Sequence, residues 1–173
     1  SIYAISANAG IKAFKIDHPL DPANKFLYHS SVESPDMLDI YSGNVVTDAN
    51  GFAKINLPSY FEALNKDFRY QLTCIGTFAQ AIVSEKVKKN SFSIRTDKPN
   101  VEVSWMVTGI RHDPVAELYR IVPEVAKVES EKGKYPIPEA YGQPKSAAMQ
   151  LPNYLEKGVG RNEIARPKNA LSK

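Results

Sequence analysis

Five polar residues lie close enough in the chain to do chemistry together: Asp17, His18, His29, Glu33 and Asp36. Imidazole nitrogens and carboxylates are ligands for divalent metals, and the same groups run acid–base chemistry near neutral pH. Alternation over residues 26–33 puts His29 and Glu33 on one strand face. If the first two strands pair, the prolyl loop over 17–22 brings Asp17 and His18 beside them. His18, His29, Glu33 and Asp36 are therefore the candidate metal ligands. A plainer reading stands ahead of metal binding and of catalysis: His29 and Glu33 form a hydrogen-bonded pair that supports the loop.

Other catalytic patterns are weaker. Ser30 and Ser31 adjoin His29, but neighbours on a strand point to opposite faces, so a Ser–His dyad between them is geometrically poor. There is no nucleophile elbow, phosphate-binding glycine loop or paired-cysteine metal motif, and the nine glycines are dispersed. The single cysteine, Cys74, falls in phase with Phe68, Tyr70 and Leu72, which predicts a buried core thiol. One cysteine also makes an intramolecular disulfide impossible. Lys86, Lys88 and Lys89 form the densest basic run and read as a solvated hairpin cap. No enzyme activity and no cofactor are expected.

The elements that must position these residues read as short strands. Candidates are residues 11–16, 26–33, 39–47, 52–57, 68–75, 79–84, 90–96 and 101–111. Prolines at 19, 22 and 35 close the early ones. Gly43 predicts a bulge or a close contact. Asp48-Ala49-Asn50-Gly51 predicts a tight hairpin joining 39–47 to 52–57, because Asn-Gly tolerates positive φ. Residues 58–65 break the alternation and predict a helical insertion, with Phe61 and Leu64 plugging one end of the core. The last strand carries Val101, Val103, Trp105 and Val107 on one face, with Trp105 as core anchor ahead of ligand platform. Seven to eight short strands at this spacing predict an all-β antiparallel sandwich or small barrel. A short helix beginning near Pro114 follows.

Beyond residue 121 the composition changes. Residues 122–173 hold six of the 12 prolines and no sustained periodicity. They do hold anchors, and with Tyr119 just ahead of them, Tyr135, Tyr141, Leu151, Tyr154 and Leu155 are the candidate interface residues. The organisation expected is a lead-in over 1–10, a β-domain over 11–121 and an extended arm over 122–173. The arm is expected to take short helical turns, one of them near residues 154–157, and to pack on its own or a neighbouring subunit.

The totals agree with that division. A chain of 173 residues suits one domain plus an extension. Net charge is +3, from 22 basic and 19 acidic residues, which is too small to argue for nucleic acid. No apolar stretch reaches the roughly 18–20 residues of a membrane helix. The start lacks Met and the pattern of a signal peptide, so the chain reads as a fragment, a processed product or the C-terminal part of something longer.

Several stretches carry a resemblance: FKIDHPLDP at 14–22, LYHS at 27–30, ESPD at 33–36, YFEALNKDFRY at 60–70 and VSWMVTGIR at 103–111. Together they resemble a C-terminal domain found after long repetitive regions. Its hosts are fibre-like proteins of phages and large viruses, and surface-associated bacterial proteins. The similarity spans roughly residues 10–145 and includes EAYGQP at 139–144. The segment after Pro144 departs from it, being longer and more basic. The resemblance implies a structural role in an extracellular, cell-surface or virion appendage, in homo-oligomers (a trimer among them) or with fibre-shaft subunits. It carries no catalytic residues over. A carbohydrate- or receptor-binding module is the rival reading, since nine tyrosines and one tryptophan are enough for a stacking platform for a surface glycan.

Overall fold

The computed structural model of the chain describes residues 13–149. The chain divides into two compact units, one ending at Pro123 and one beginning at Glu124. The arm was expected from Val122.

In the first unit the described residues form eight strands in three antiparallel sheets, with two short helices and no closed barrel. Strands β1 (Ala13–Asp17) and β2 (Phe26–Ser30) make a two-stranded sheet. Strand β3 (Leu38–Val46) joins β8 (Glu102–Arg111) and β5 (Asn65–Ile75), with β8 in the centre. Strands β4 (Phe52–Asn56), β7 (Ser91–Thr96) and β6 (Ala81–Glu85) make the third sheet, with β7 central. The fold is an all-β sandwich with a short helical insertion, α1 (Phe61–Leu64), and a second helix, α2 (Pro114–Leu118).

Period-two alternation builds the core. Ala53 and Ile55 of β4, Phe92 and Ile94 of β7, and Val103 and Val107 of β8 all point inward and form one cluster with Leu57, Phe61 and Val101. Trp105 packs half-buried on this cluster, 5.6 Å from the Phe92 ring in an edge-to-face arrangement. It lies across Gly43, where an added Cβ would come 2.9 Å from the indole. Gly43 pairs in register with Trp105, so it is a close contact rather than a bulge. Phe61 and Leu64 are fully buried, and Leu64 belongs to a second cluster with Ile16 and Leu27 under the β1–β2 sheet.

Three expectations are corrected. The Asp48–Gly51 turn does not join two strands of one sheet, because β3 pairs with β8 and β4 pairs with β7. The turn forms locally, with the Asp48 side chain accepting the Asn50 and Phe52 N–H groups and Gly51 at φ +71°. Thr47, buried at its base, then bonds the Thr96 hydroxyl at 3.0 Å and accepts the Val101 N–H at 3.0 Å, tying both sheets together. Cys74 is half-buried rather than buried, because β5 is an edge strand whose flank stays open. The second strand ends at Ser30, so Glu33 lies on an exposed loop and shares no strand face with His29.

In the second unit, residues 124–149 carry three short 3-10 helices, Glu129–Glu131, Pro138–Tyr141 and Lys145–Ala147, and one isolated parallel bridge between Tyr135 and Ala148. Pro138 is the single buried residue among them. The expected lead-in over 1–10, the start of the first strand at 11 and 12, and the turn near 154–157 lie outside the described residues.

Candidate functional site

His29 sits on the inward face of β2, in phase with buried Leu27, while Phe26 and Tyr28 face outward and are more than half exposed. Its carboxylate partner is Asp39 on β3, which sequence reasoning did not single out. His29 Nδ1 lies 3.1 Å from Asp39 Oδ1, and the Asp39 side chain is 3% exposed. The other nitrogen, Nε2, is 3.5 Å from the Tyr60 hydroxyl, just ahead of α1. Rings of Phe14, Tyr41 and Tyr60 surround the imidazole at 5.2, 5.8 and 6.0 Å between centroids.

The polar shell continues below. Asn65 is buried at the start of β5 and donates to the Tyr41 hydroxyl at 3.2 Å and to the Phe61 carbonyl at 3.2 Å. Gly109 lets it fit, since a Cβ there would come 2.6 Å from that of Asn65. Arg111, buried at the end of β8, donates from Nε and Nη2 to Asp113 Oδ2 at 2.9 and 2.8 Å. The Phe14 ring covers the guanidinium, 3.8 Å from Cζ to centroid. Asp113 Oδ1 also accepts the Ala116 N–H, capping α2. Burial, then the Asp39 charge, raises the hydroxyl pKa of Tyr41 and of Tyr60 above the ordinary tyrosine value, so both stay protonated.

A His–Asp pair is the orienting half of a catalytic triad, and a triad also needs a nucleophile at the free imidazole nitrogen. Here that nitrogen meets a phenol held protonated. Cys74 is no substitute: it lies nine residues along β5 from Asn65, roughly 30 Å at about 3.3 Å per residue. Among the described residues no serine or cysteine side chain is hydrogen-bonded to His29. The geometry instead clasps the β1–β2 sheet to the sandwich through His29–Asp39, Phe14–Arg111 and the Tyr60 ring.

The four candidate metal ligands separate. His18 packs edge-on against Tyr60 at 5.6 Å, and its Nδ1 accepts the Leu20 N–H. Glu33 and Asp36 are exposed on the loop after β2. Among the described residues no group of three or more His, Cys, Asp or Glu side chains gathers as a metal site requires. One signal pointed to Asp39: in β3 it occupies the same inward phase as Tyr41, Gly43 and Val45, and a carboxylate on a core-facing phase needs a partner. Arg111 stands likewise in phase with Val103, Trp105 and Val107.

Of the interface candidates, Tyr119 and Tyr141 are exposed, at 55% and 70%. Tyr135 and Tyr141 pair their rings at 5.6 Å, and the Lys127 ammonium lies 5.0 Å over Tyr135. Leu151, Tyr154 and Leu155 lie outside the described residues. No protein-family model, no curated protein and no solved structure matches this chain. No helix among the described residues is long and apolar enough to cross a membrane.

Proposed function

We propose that the chain is a non-enzymatic structural domain that self-associates, a building unit of a fibre, filament, or virion or cell-surface appendage. The observation that carries this reading is the run of exposed apolar side chains Leu118 (73% exposed), Ile121, Val122, Val125 (74%) and Val128. Each of these side chains gains from leaving water, since burial returns about 25 cal/mol per Å² of apolar surface. An extended segment with little core of its own becomes ordered by burying such side chains on a partner. The resemblance to fibre C-terminal domains adds an appendage setting, with a second copy or a shaft subunit as the partner. The His29–Asp39 pair, facing a protonated phenol, supports the non-enzymatic part.

Sedimentation velocity of the full chain and of a Val122→Ser/Val125→Ser variant tests this. The full chain sediments as a concentration-dependent oligomer, and the variant shifts toward monomer while its sandwich unfolds at the same temperature. Monomeric behaviour of both across the micromolar range sinks the reading.

A further inference from the structure

The outer face of the β4–β7–β6 sheet has a different character from the apolar run, and it shares no residue with it. Register sets Lys54 of β4 opposite Ser93 of β7, and Ser93 opposite Glu85 of β6. Lys86, Lys88 and Lys89 follow in the turn between β6 and β7. The four lysines border an open groove of about 500 Å³. Among the described residues none of the four forms an ion pair.

The groove has a fixed floor and a fixed wall. Ser93 faces outward yet is 2% exposed, and its hydroxyl donates to Glu85 Oε2 at 2.8 Å. Lys88 and Ser91 close a two-residue turn by reciprocal backbone bonds of 2.9 and 3.3 Å. Its central residues Lys89 and Asn90 both have positive φ, +53° and +52°. Asparagine tolerates that conformation, whereas lysine is strained there. The strain is held from both sides. The Val87 N–H donates to the Tyr70 hydroxyl at 2.8 Å, and Asn90 exchanges hydrogen bonds with Glu62 while donating to the Ser59 carbonyl at 2.9 Å. Three ammonium groups are thus carried on a braced loop above a fourth.

We infer that this groove binds an acidic saccharide, a polyol chain bearing sulfate or carboxylate groups. Four ammonium ions without carboxylate partners attract anionic substituents, and their field is strongest at low ionic strength. Asn56 and Ser91, also on the lining, offer amide and hydroxyl groups to sugar hydroxyls. Glu85, whose Oε2 accepts the Ser93 hydroxyl, keeps its other carboxylate oxygen as an acceptor for a sugar hydroxyl. Among the described residues no aromatic side chain lines the groove, so they offer no platform for stacked nucleobases.

Amide chemical-shift titration of the full chain with a heparin-derived sulfated hexasaccharide tests the assignment. The expected shifts are confined to Lys54, Asn56, residues 85–91 and Ser93, and they weaken as salt rises. Lys54→Gln/Lys88→Gln lowers affinity by about tenfold or more, while Lys132→Gln, which is not on the groove lining, leaves it unchanged. The proposal is overturned by no shifts, by shifts spread over all exposed lysines, by equal loss in Lys132→Gln, or by equal binding of a neutral hexasaccharide. Inorganic phosphate that moves the same amides at equal charge concentration also overturns it, by making the ligand a simple anion.

Discussion

The two described parts of the chain use similar residues to opposite ends. In the sandwich, Phe61, Ile94, Val103 and Val107 are fully removed from water, whereas beyond Pro123, Val125, Ile137 and Tyr141 are 74%, 64% and 70% exposed. Apolar content does not separate them; arrangement does. Alternation gives each strand one apolar face, two sheets bury those faces together, and ladder hydrogen bonds satisfy the backbone. Residues 124–149 have no period, and prolines remove donors and set φ, so their backbone closes in 3-10 turns instead. A patterned segment makes its own core. An unpatterned one leaves its anchors in water.

The largest expected effect sets the two parts directly against each other. Phe92→Ala costs about 3–5 kcal/mol in urea unfolding, while Val125→Ala stays within about 0.5 kcal/mol. Equal costs would erase the contrast. Thr47→Val keeps the shape but removes the hydroxyl that accepts the Val101 N–H, and it costs about 1–3 kcal/mol. A smaller change would mean that the corner between the sheets does not depend on that buried hydroxyl.

The clasp predicts a pH dependence. Burial first, and then Asp39, raise the Tyr41 pKa in the folded state. The folded protein therefore keeps this proton where the unfolded chain loses it. The stabilisation is complete below the unfolded value of about 10 and declines as pH rises through the folded value. Tyr60 shifts in the same direction. Stability measured from pH 8 upward should fall beyond about pH 10, and Tyr41→Phe should flatten that fall. An unchanged slope in the variant would remove Tyr41 from the account. The smallest effect is a gain: Lys89→Gly relieves the positive φ and stabilises the sandwich by about 1 kcal/mol. It should also weaken binding of the acidic saccharide, since it removes one of the four ammonium groups.

Much of the sandwich was legible because alternation is local. The phase of Val101, Val103, Trp105 and Val107 and the insertion around Phe61 and Leu64 follow from neighbouring residues alone. Sheet membership does not. Asn50-Gly51 specifies a tight turn, but β3 found its partner in β8, more than fifty residues later, and so the turn passes between sheets. The candidate site divides in the same way. His29 was visible by type, whereas proximity in sequence suggested Glu33 and Asp36 where the fold supplies Asp39. Asp39 was readable as a charge on an inward phase. The groove was not readable, because Lys54 meets the lysine turn only through the β4–β7 register.

Hydrogen exchange on the full chain at low and high protein concentration tests the contrast most directly. Amides of the β-sandwich should show the same protection at both concentrations. Those from Leu118 to Met149 should exchange fast when dilute and gain protection when concentrated, as a partner surface becomes available. Protection in that segment that is already high, and identical at both concentrations, would contradict the account.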